Sequence, residues 1–253
     1  MAPSPDLTRQ CAFDLRLGLA ILLGRPDGPA APIDVRTVTE FLSRRNDSSR
    51  NNRDMPLRNR VTPLGDVIAT PARGLVYGNR GCLHNKAGVV VRRAATRRWI
   101  ACRLSYRGWY QGATPRPGRF TGLFFLDDAT ALAAGHRPCG LCRRDDYRRV
   151  LAVTGFGGAD AIDLVLQGQR TGQRPRVEVA ALPDGAFVML DDAPHLVVDG
   201  AARRWSPGGY GPMRRAPKSA ALITPQVLVP VLAEGWAPLV PFLHPSARET
   251  MPA

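Results

Sequence analysis

No apolar run in the chain is long enough to span a bilayer. The most apolar early stretch, Ala12 to Leu23, is broken by Asp14 and Arg16. It also lacks the charged leader and small-residue cleavage site of an export signal, so neither membrane insertion nor secretion is expected. Cysteine is sparse: five residues in 253, an odd count in a chain too long to depend on disulfide staples. A reducing cytoplasm fits best. A P-loop, a Gly-x-Ser-x-Gly elbow, an HExxH helix and the HxE partner of a zinc deaminase are all missing, which removes the commonest nucleotide-hydrolase, esterase, metalloprotease and base-deaminase signatures. Lysine is nearly absent, with Lys86 and Lys218 alone.

What is present in quantity is arginine. Lysine and arginine total 35 against 21 acidic residues, for a formal net charge of +14 and a pI near 10.8. Such a surface favours a polyanion, because clustered cations displace counterions condensed on phosphates. Nucleic acid is the expected partner, DNA in preference to RNA. The plainer reading is a bias of composition toward Ala, Gly, Pro and Arg. With 44% apolar residues the chain can bury a real core.

The pattern divides the chain. Asp6 to Leu23 and Asp34 to Arg45 are helical candidates, followed by the polar run Arg44 to Arg53, which reads as a linker. Residues 1–54 are therefore expected to form an N-terminal extension, and the functional protein to begin near Met55. From Arg58 onward short β-like runs alternate with Gly and Pro: Val67 to Ala69, Val89 to Val91, Trp99 to Leu104 and Phe120 to Leu126. Asp127-Asp128 suits a helix N-cap, with Ala129 to Ala134 as a short helix ended by Gly135. Pro138 then predicts the first turn of a helix from about Cys139 to Leu151. Asp160 to Gln169 is a further helix. Val177 to Ala180, Ala186 to Leu190, Leu196 to Val198 and Ala201 to Trp205 read as strands, with Asp199-Gly200 as a hairpin turn. Thr224-Pro225 starts a final helix through Leu232. The expected class is α+β: a small mixed or antiparallel sheet with short helices around a structural zinc site in residues 55–156, and a β-rich portion in 157–253 packed on it.

The chemistry concentrates at Cys139-Gly-Leu-Cys142. Two cysteines three apart at a helix start supply half of a tetrahedral zinc site, and the helix dipole favours their thiolate forms. Cys82 and His84, in a glycine-punctuated stretch, are the expected other half, with His136 as an alternative fourth ligand. Zn2+ is the expected cofactor; a redox dithiol would call for a βαβ setting that is not seen here. Cys102, in an apolar strand, and Cys11 read as structural. Arg58, Arg60, Arg80, Arg97, Arg98, Arg137, Arg143 and Arg144 are the candidate phosphate contacts. Trp99, Tyr106 to Tyr110 and Arg203 to Tyr210 mix cations with aromatics, as base-stacking surfaces do. Asp127, Asp128, Asp145 and Asp146 would be the carboxylates of a hydrolytic site; capping explains the first two equally well. His195 and His244 stand alone and read as ordinary polar contacts.

The run Asp128 to Arg144, with Gly135-His136-Arg137-Pro138-Cys139 and the CxxC, resembles the second half of the metal-binding domain of the Ada DNA-alkylation repair family. The resemblance implies a short helix, a turn and two zinc thiolates. In that family a Cys-x-x-x-Cys hairpin supplies the other two ligands, and one zinc-bound cysteine accepts a methyl group from a DNA phosphotriester. This sequence offers Cys82-x-His84 and places His136 where the family's turn has an aromatic. Arg58 to Pro63 and Gly78 to Gly81 further resemble a group of bacterial proteins to which no activity is attached. The combined expectation is a zinc-binding protein that contacts nucleic acid, with a metalloenzyme or zinc-thiolate alkyl acceptor as the alternative.

Overall fold

A computed structural model describes residues 56–110, 118–234 and 242–248. Cys11, the two N-terminal helical candidates, the linker and the proposed start at Met55 lie outside the described residues. Leu57–Ala253 forms one compact unit.

The class is α+β, built on two six-stranded sheets. The first has the order β2-β1-β7-β3-β4-β8, with β1 Arg58–Val61, β2 Val67–Ala69, β3 Val76–Asn79, β4 Ile100–Cys102, β7 Leu123–Phe125 and β8 Arg137–Pro138. The pairs β1/β7 and β4/β8 run parallel and the others antiparallel. A small ribbon, β5 Ser105–Tyr106 with β6 Trp109–Tyr110, follows β4. The second sheet has the order β13-β12-β11-β10-β14-β9. It comprises β9 Arg176–Glu178, β10 Phe187–Leu190, β11 Ala193–Val198, β12 Ala201–Ser206, β13 Gly209–Arg215 and β14 Ser219–Leu222. Every pair in it is antiparallel. The hairpin between β11 and β12 turns at Asp199 (φ 51°) and Gly200 (φ 69°), the left-handed pair a two-residue turn requires.

Helix α1, Asp128–Ala133, is buried along its whole length. Asp127 caps it, its carboxylate accepting from the Thr130 N–H at 2.8 Å. Small side chains let neighbours approach on every side. Ala131 and Ala134 pack under the first sheet with Val76, Leu123 and Phe125, while Ala129 and Ala133 meet Phe187, Leu196 and Val198 of the second. Leu132 joins a third cluster with Val150, Ile162 and Leu166. These last come from α2, Arg144–Thr154, and α3, Ala159–Thr171. The C-terminal helix α4, Val229–Ala233, follows a 3-10 turn at Gln226–Leu228. No single helix among the described residues is long and apolar enough to cross a membrane.

Three local expectations are corrected. Thr224-Pro225 does not cap the final helix: the Thr224 hydroxyl accepts from the Phe187 N–H, a 3-10 turn covers Gln226–Leu228, and α4 begins only at Val229. Val89 to Val91 forms no strand, only an isolated bridge from Val90 to His84. Pro138 does not open a helix: it lies in the edge strand β8, and α2 begins at Arg144. The parallel register explains this. The N–H groups of Arg137 and Cys139 reach inward to the carbonyls of Trp99 and Ala101, whereas position 138 would direct an N–H off the sheet edge, where proline has none to leave unpaired.

Candidate metal centre

Alternation along β4 sorts its side chains between two environments. Ala101 belongs to the apolar cluster packed on α1. Ile100 and Cys102 face the other way, with Tyr77, Phe124, Tyr106, Cys139 and Cys142. Gly78, opposite Ala101, allows the close approach of β3 and β4, since a Cβ there would overlap the Ile100 carbonyl oxygen. The parallel pairing of β4 with β8 sets Cys139 beside the end of β4, through Cys139 N–H to Ala101 O at 2.8 Å. Cys142 follows in the turn before α2. The sulfurs of Cys102, Cys139 and Cys142 consequently lie within 4.8 Å of one another, an arrangement able to hold a metal ion. Tetrahedral ligation at the usual Zn–S length places sulfurs about 3.8 Å apart, so the cluster fits with small adjustment.

Backbone donors favour charge on the sulfurs. The Leu141 N–H reaches Cys139 Sγ at 3.5 Å, and the Arg103 N–H supports Cys142. Without metal the thiols share their protons unevenly. Hydrogen bonds from Cys102 and then Cys142 hold the Cys139 thiol well below its ordinary range, while the bonds to Cys139 and Cys142, with burial, push Cys102 far up. Cys102 and Cys142 are buried and Cys139 is half-buried.

The other expected ligands lie outside the cluster. Cys82 donates to the His84 carbonyl at 3.5 Å, and His84 Nδ1 is 2.6 Å from Thr121 Oγ1. His136 is fully buried between Trp99 and Phe125, and its Nε2 accepts from Arg80 Nε at 3.0 Å. Three neighbours thus occupy the ring that was expected to offer an alternative ligand. Burial, then the Arg80 and Arg170 charges, hold His136 neutral with a pKa well below 6.5. Because the unfolded chain takes up a proton here and the folded one does not, stability should fall as pH drops below about 6.5, by up to ~1.4 kcal/mol per pH unit. Denaturant titrations from pH 7 to 5 should show this slope in wild type and a shallower one in His136→Gln, which keeps an acceptor for Arg80.

Three of the arginines read as phosphate contacts are instead internal braces. Arg143, wholly buried, forks onto both Asp128 oxygens at 2.6 and 2.7 Å and onto Asp146 at 2.8 Å. Burial opposes its charge, but Asp128 and Asp146 outweigh burial and raise its pKa. Arg137 grips Asp163 of α3 through Nε and Nη2, at 2.9 and 2.8 Å. The CxxC turn is thereby fastened on both sides, to α3 by the residue before Pro138 and to α1 by the residue after Cys142. Arg80 is fully buried over the Trp99 ring, 3.6 Å from its centroid. Burial removes all three from any external ligand.

Arg58, Arg97, Arg98 and Arg144 are exposed. Arg58 donates to the Val67 carbonyl, Arg98 to Asp160, and half-buried Arg60 lies over the Phe124 ring at 4.8 Å. The four carboxylates considered for hydrolysis have other work. Asp127 is fully buried, and burial raises its pKa; it accepts from Tyr210, His244 N–H and Thr130. Asp128 and Asp146 hold Arg143, and exposed Asp145 lies 4.0 Å from Arg148. His195 bonds the Ala193 carbonyl and His244 caps the turn at Ser246, both ordinary polar contacts.

The one residue of the candidate metal centre that sequence reasoning missed is Cys102. Period two along Trp99-Ile-Ala-Cys102 separates it from Ala101, but nothing local pairs it with the CxxC. No family model, curated protein or solved structure matches the chain.

Proposed function

We propose that this is a zinc-binding protein that uses its arginine-rich surface to contact nucleic acid. The observation that supports it is the Cys102, Cys139 and Cys142 cluster. Three convergent sulfurs select a thiophilic ion, and among divalent cations zinc is the usual tenant of such sites. The charge of +14 supports the polyanion, with the exposed Arg58, Arg97, Arg98 and Arg144 among its contacts. The resemblance of Asp128 to Arg144 to the second half of the Ada metal-binding domain supports DNA as the polyanion.

A second reading draws on the same cluster. No fourth His, Cys, Asp or Glu joins the three sulfurs among the described residues. Three protein ligands with a position left over is the form of a reactive zinc site. A thiolate there would attack the methyl carbon of a phosphotriester, forming S–CH3 while the C–O bond breaks and the phosphodiester leaves.

Metal analysis and binding assays test the first reading together. Purified wild type, Cys82→Ser and His84→Ala should each hold one zinc per chain, and wild type should bind labelled DNA with an affinity that falls steeply with salt. Metal-free wild type with ordinary free thiols, or DNA binding indifferent to salt, would contradict it. Mass spectrometry after incubation with methyl-phosphotriester DNA addresses the second reading, which requires a 14 Da gain on one cysteine.

A further inference from the structure

A second site stands on Trp99, whose neighbours Ile100 and Cys102 face the thiol cluster while its own ring meets His136. Four arginines gather around it. Arg80 lies 3.6 Å, Arg170 4.4 Å and Arg93 5.8 Å from the ring centroid. Arg93, Arg97 and Arg170 line a pocket of about 370 Å³ with Trp99, Thr96 and Thr171. Among the described residues none of these four arginines is ion-paired with a carboxylate. The nearest acidic groups are engaged or distant: Asp163 is held by Arg137, Asp160 by Arg98, and Asp66 acts on Arg80 only at long range.

The fold spends several contacts on holding this charge together. Arg170 donates through Nε and Nη2 to the Gly135 carbonyl, at 3.0 and 2.6 Å, and through Nη1 to the Arg97 carbonyl. Gly135, at φ 81°, has no side chain, and a Cβ there would strike the Arg170 stem. Arg80 donates to His136, which is neutral and offers no counter-charge, and to the Gly65 and Arg93 carbonyls. Its Nη2 is buried with no partner. Burial, and then the charges of neighbouring arginines, depress both guanidiniums; Arg170 falls to about 10 although Asp163 partly offsets the effect. Carbonyl dipoles and one indole face orient these cations without neutralising them.

We propose that the Trp99 pocket is a phosphate-binding site, in which Arg93, Arg97 and Arg170 take one phosphate group of a nucleic-acid strand. Arginine forks match phosphate oxygens in pairs, and a bound phosphate supplies the missing negative charge. Arg93 also borders an adjoining cleft of about 390 Å³ with Arg58, Arg92 and Asp66, which gives a neighbouring phosphate its own cations beside a single carboxylate. The choice of a strand over a free phosphate rests on the nucleic-acid reading above; the anion site does not.

Fluorescence anisotropy with a labelled single-stranded DNA 20-mer, beside calorimetry with inorganic phosphate, tests this on the full chain. Arg93→Glu and Arg97→Glu change exposed residues, and Arg215→Glu, exposed at the end of β13, makes the same change of charge elsewhere. The first two should each weaken DNA binding at least tenfold and lower the salt slope by about one, against less than threefold for Arg215→Glu. Equal losses in all three would overturn the pocket and leave nucleic-acid binding standing. Inorganic phosphate bound by wild type and lost in Arg93→Glu and Arg97→Glu, with no DNA binding, would keep the anion site and overturn the strand as its source. Binding of neither probe would overturn the proposal outright.

Discussion

Cys102→Ser is expected to abolish metal retention and to lower the unfolding free energy by about 5 kcal/mol, about a third to a half of the roughly 10–16 kcal/mol attributed to structural zinc sites. The substitution is nearly isosteric, so little of the effect comes from packing. Serine does not ionise at neutral pH and cannot replace a thiolate, and the two remaining sulfurs sit on a turn that β4 no longer bridges through metal. Chelation of wild type separates the causes. If the loss arises from the metal, chelator should bring wild type down to the level of Cys102→Ser and leave the variant unchanged. Thermal unfolding with and without zinc reads both effects. A chelated wild type as stable as the untreated protein, or a variant that keeps one zinc per chain, would return Cys102 to the role of a buried apolar residue.

Arg143→Ala should cost about 3–5 kcal/mol, because it leaves the wholly buried Asp128 without its forked partner and frees Asp146 from the same guanidinium. Cavity formation adds to this loss. The damage also reaches the metal centre: Arg143 follows Cys142 directly, and its N–H closes the turn onto the Cys139 carbonyl at 3.0 Å. If the cluster holds zinc as proposed, its affinity should fall with stability even though none of the three cysteines has changed. Arg143→Lys should recover little, since a single ammonium cannot reproduce two parallel bonds to Asp128 and a third to Asp146. Replacing both partners, Arg143→Met with Asp128→Leu, should regain much of the loss, because the cost lies in stranding a buried charge more than in losing the pair. Urea titrations of the four proteins provide the comparison, and Arg143→Ala within about 1 kcal/mol of wild type would show that Arg143 is not a brace.

Local signals were sufficient for much of the architecture. The Asp127 cap, the alanine-rich helix α1 and its glycine stop, α3, and the hairpin at Asp199-Gly200 all depend on short-range sterics and hydrogen bonds, which a few neighbouring residues specify. The short β-like runs of β2, β7, β10 and β12, bounded by turn residues, were legible for the same reason. The short, polar β1 and the glycine-containing β3 were not, because their strand form comes from partners across the sheet.

The spacing of Cys139 and Cys142 announced a metal half-site, a property two residues in one turn possess before any folding. Their partner is another matter: Cys102 reaches them through the parallel pairing of β4 with β8, a contact across 37 positions that no local pattern contains. The arginines divide along the same line. Composition fixes the total charge at +14, yet only burial separates Arg80, Arg137 and Arg143 from Arg97 and Arg98. A guanidinium becomes a brace when the fold buries it against a distant carboxylate or aromatic ring, and it stays open to an anion only where part of it remains at the surface.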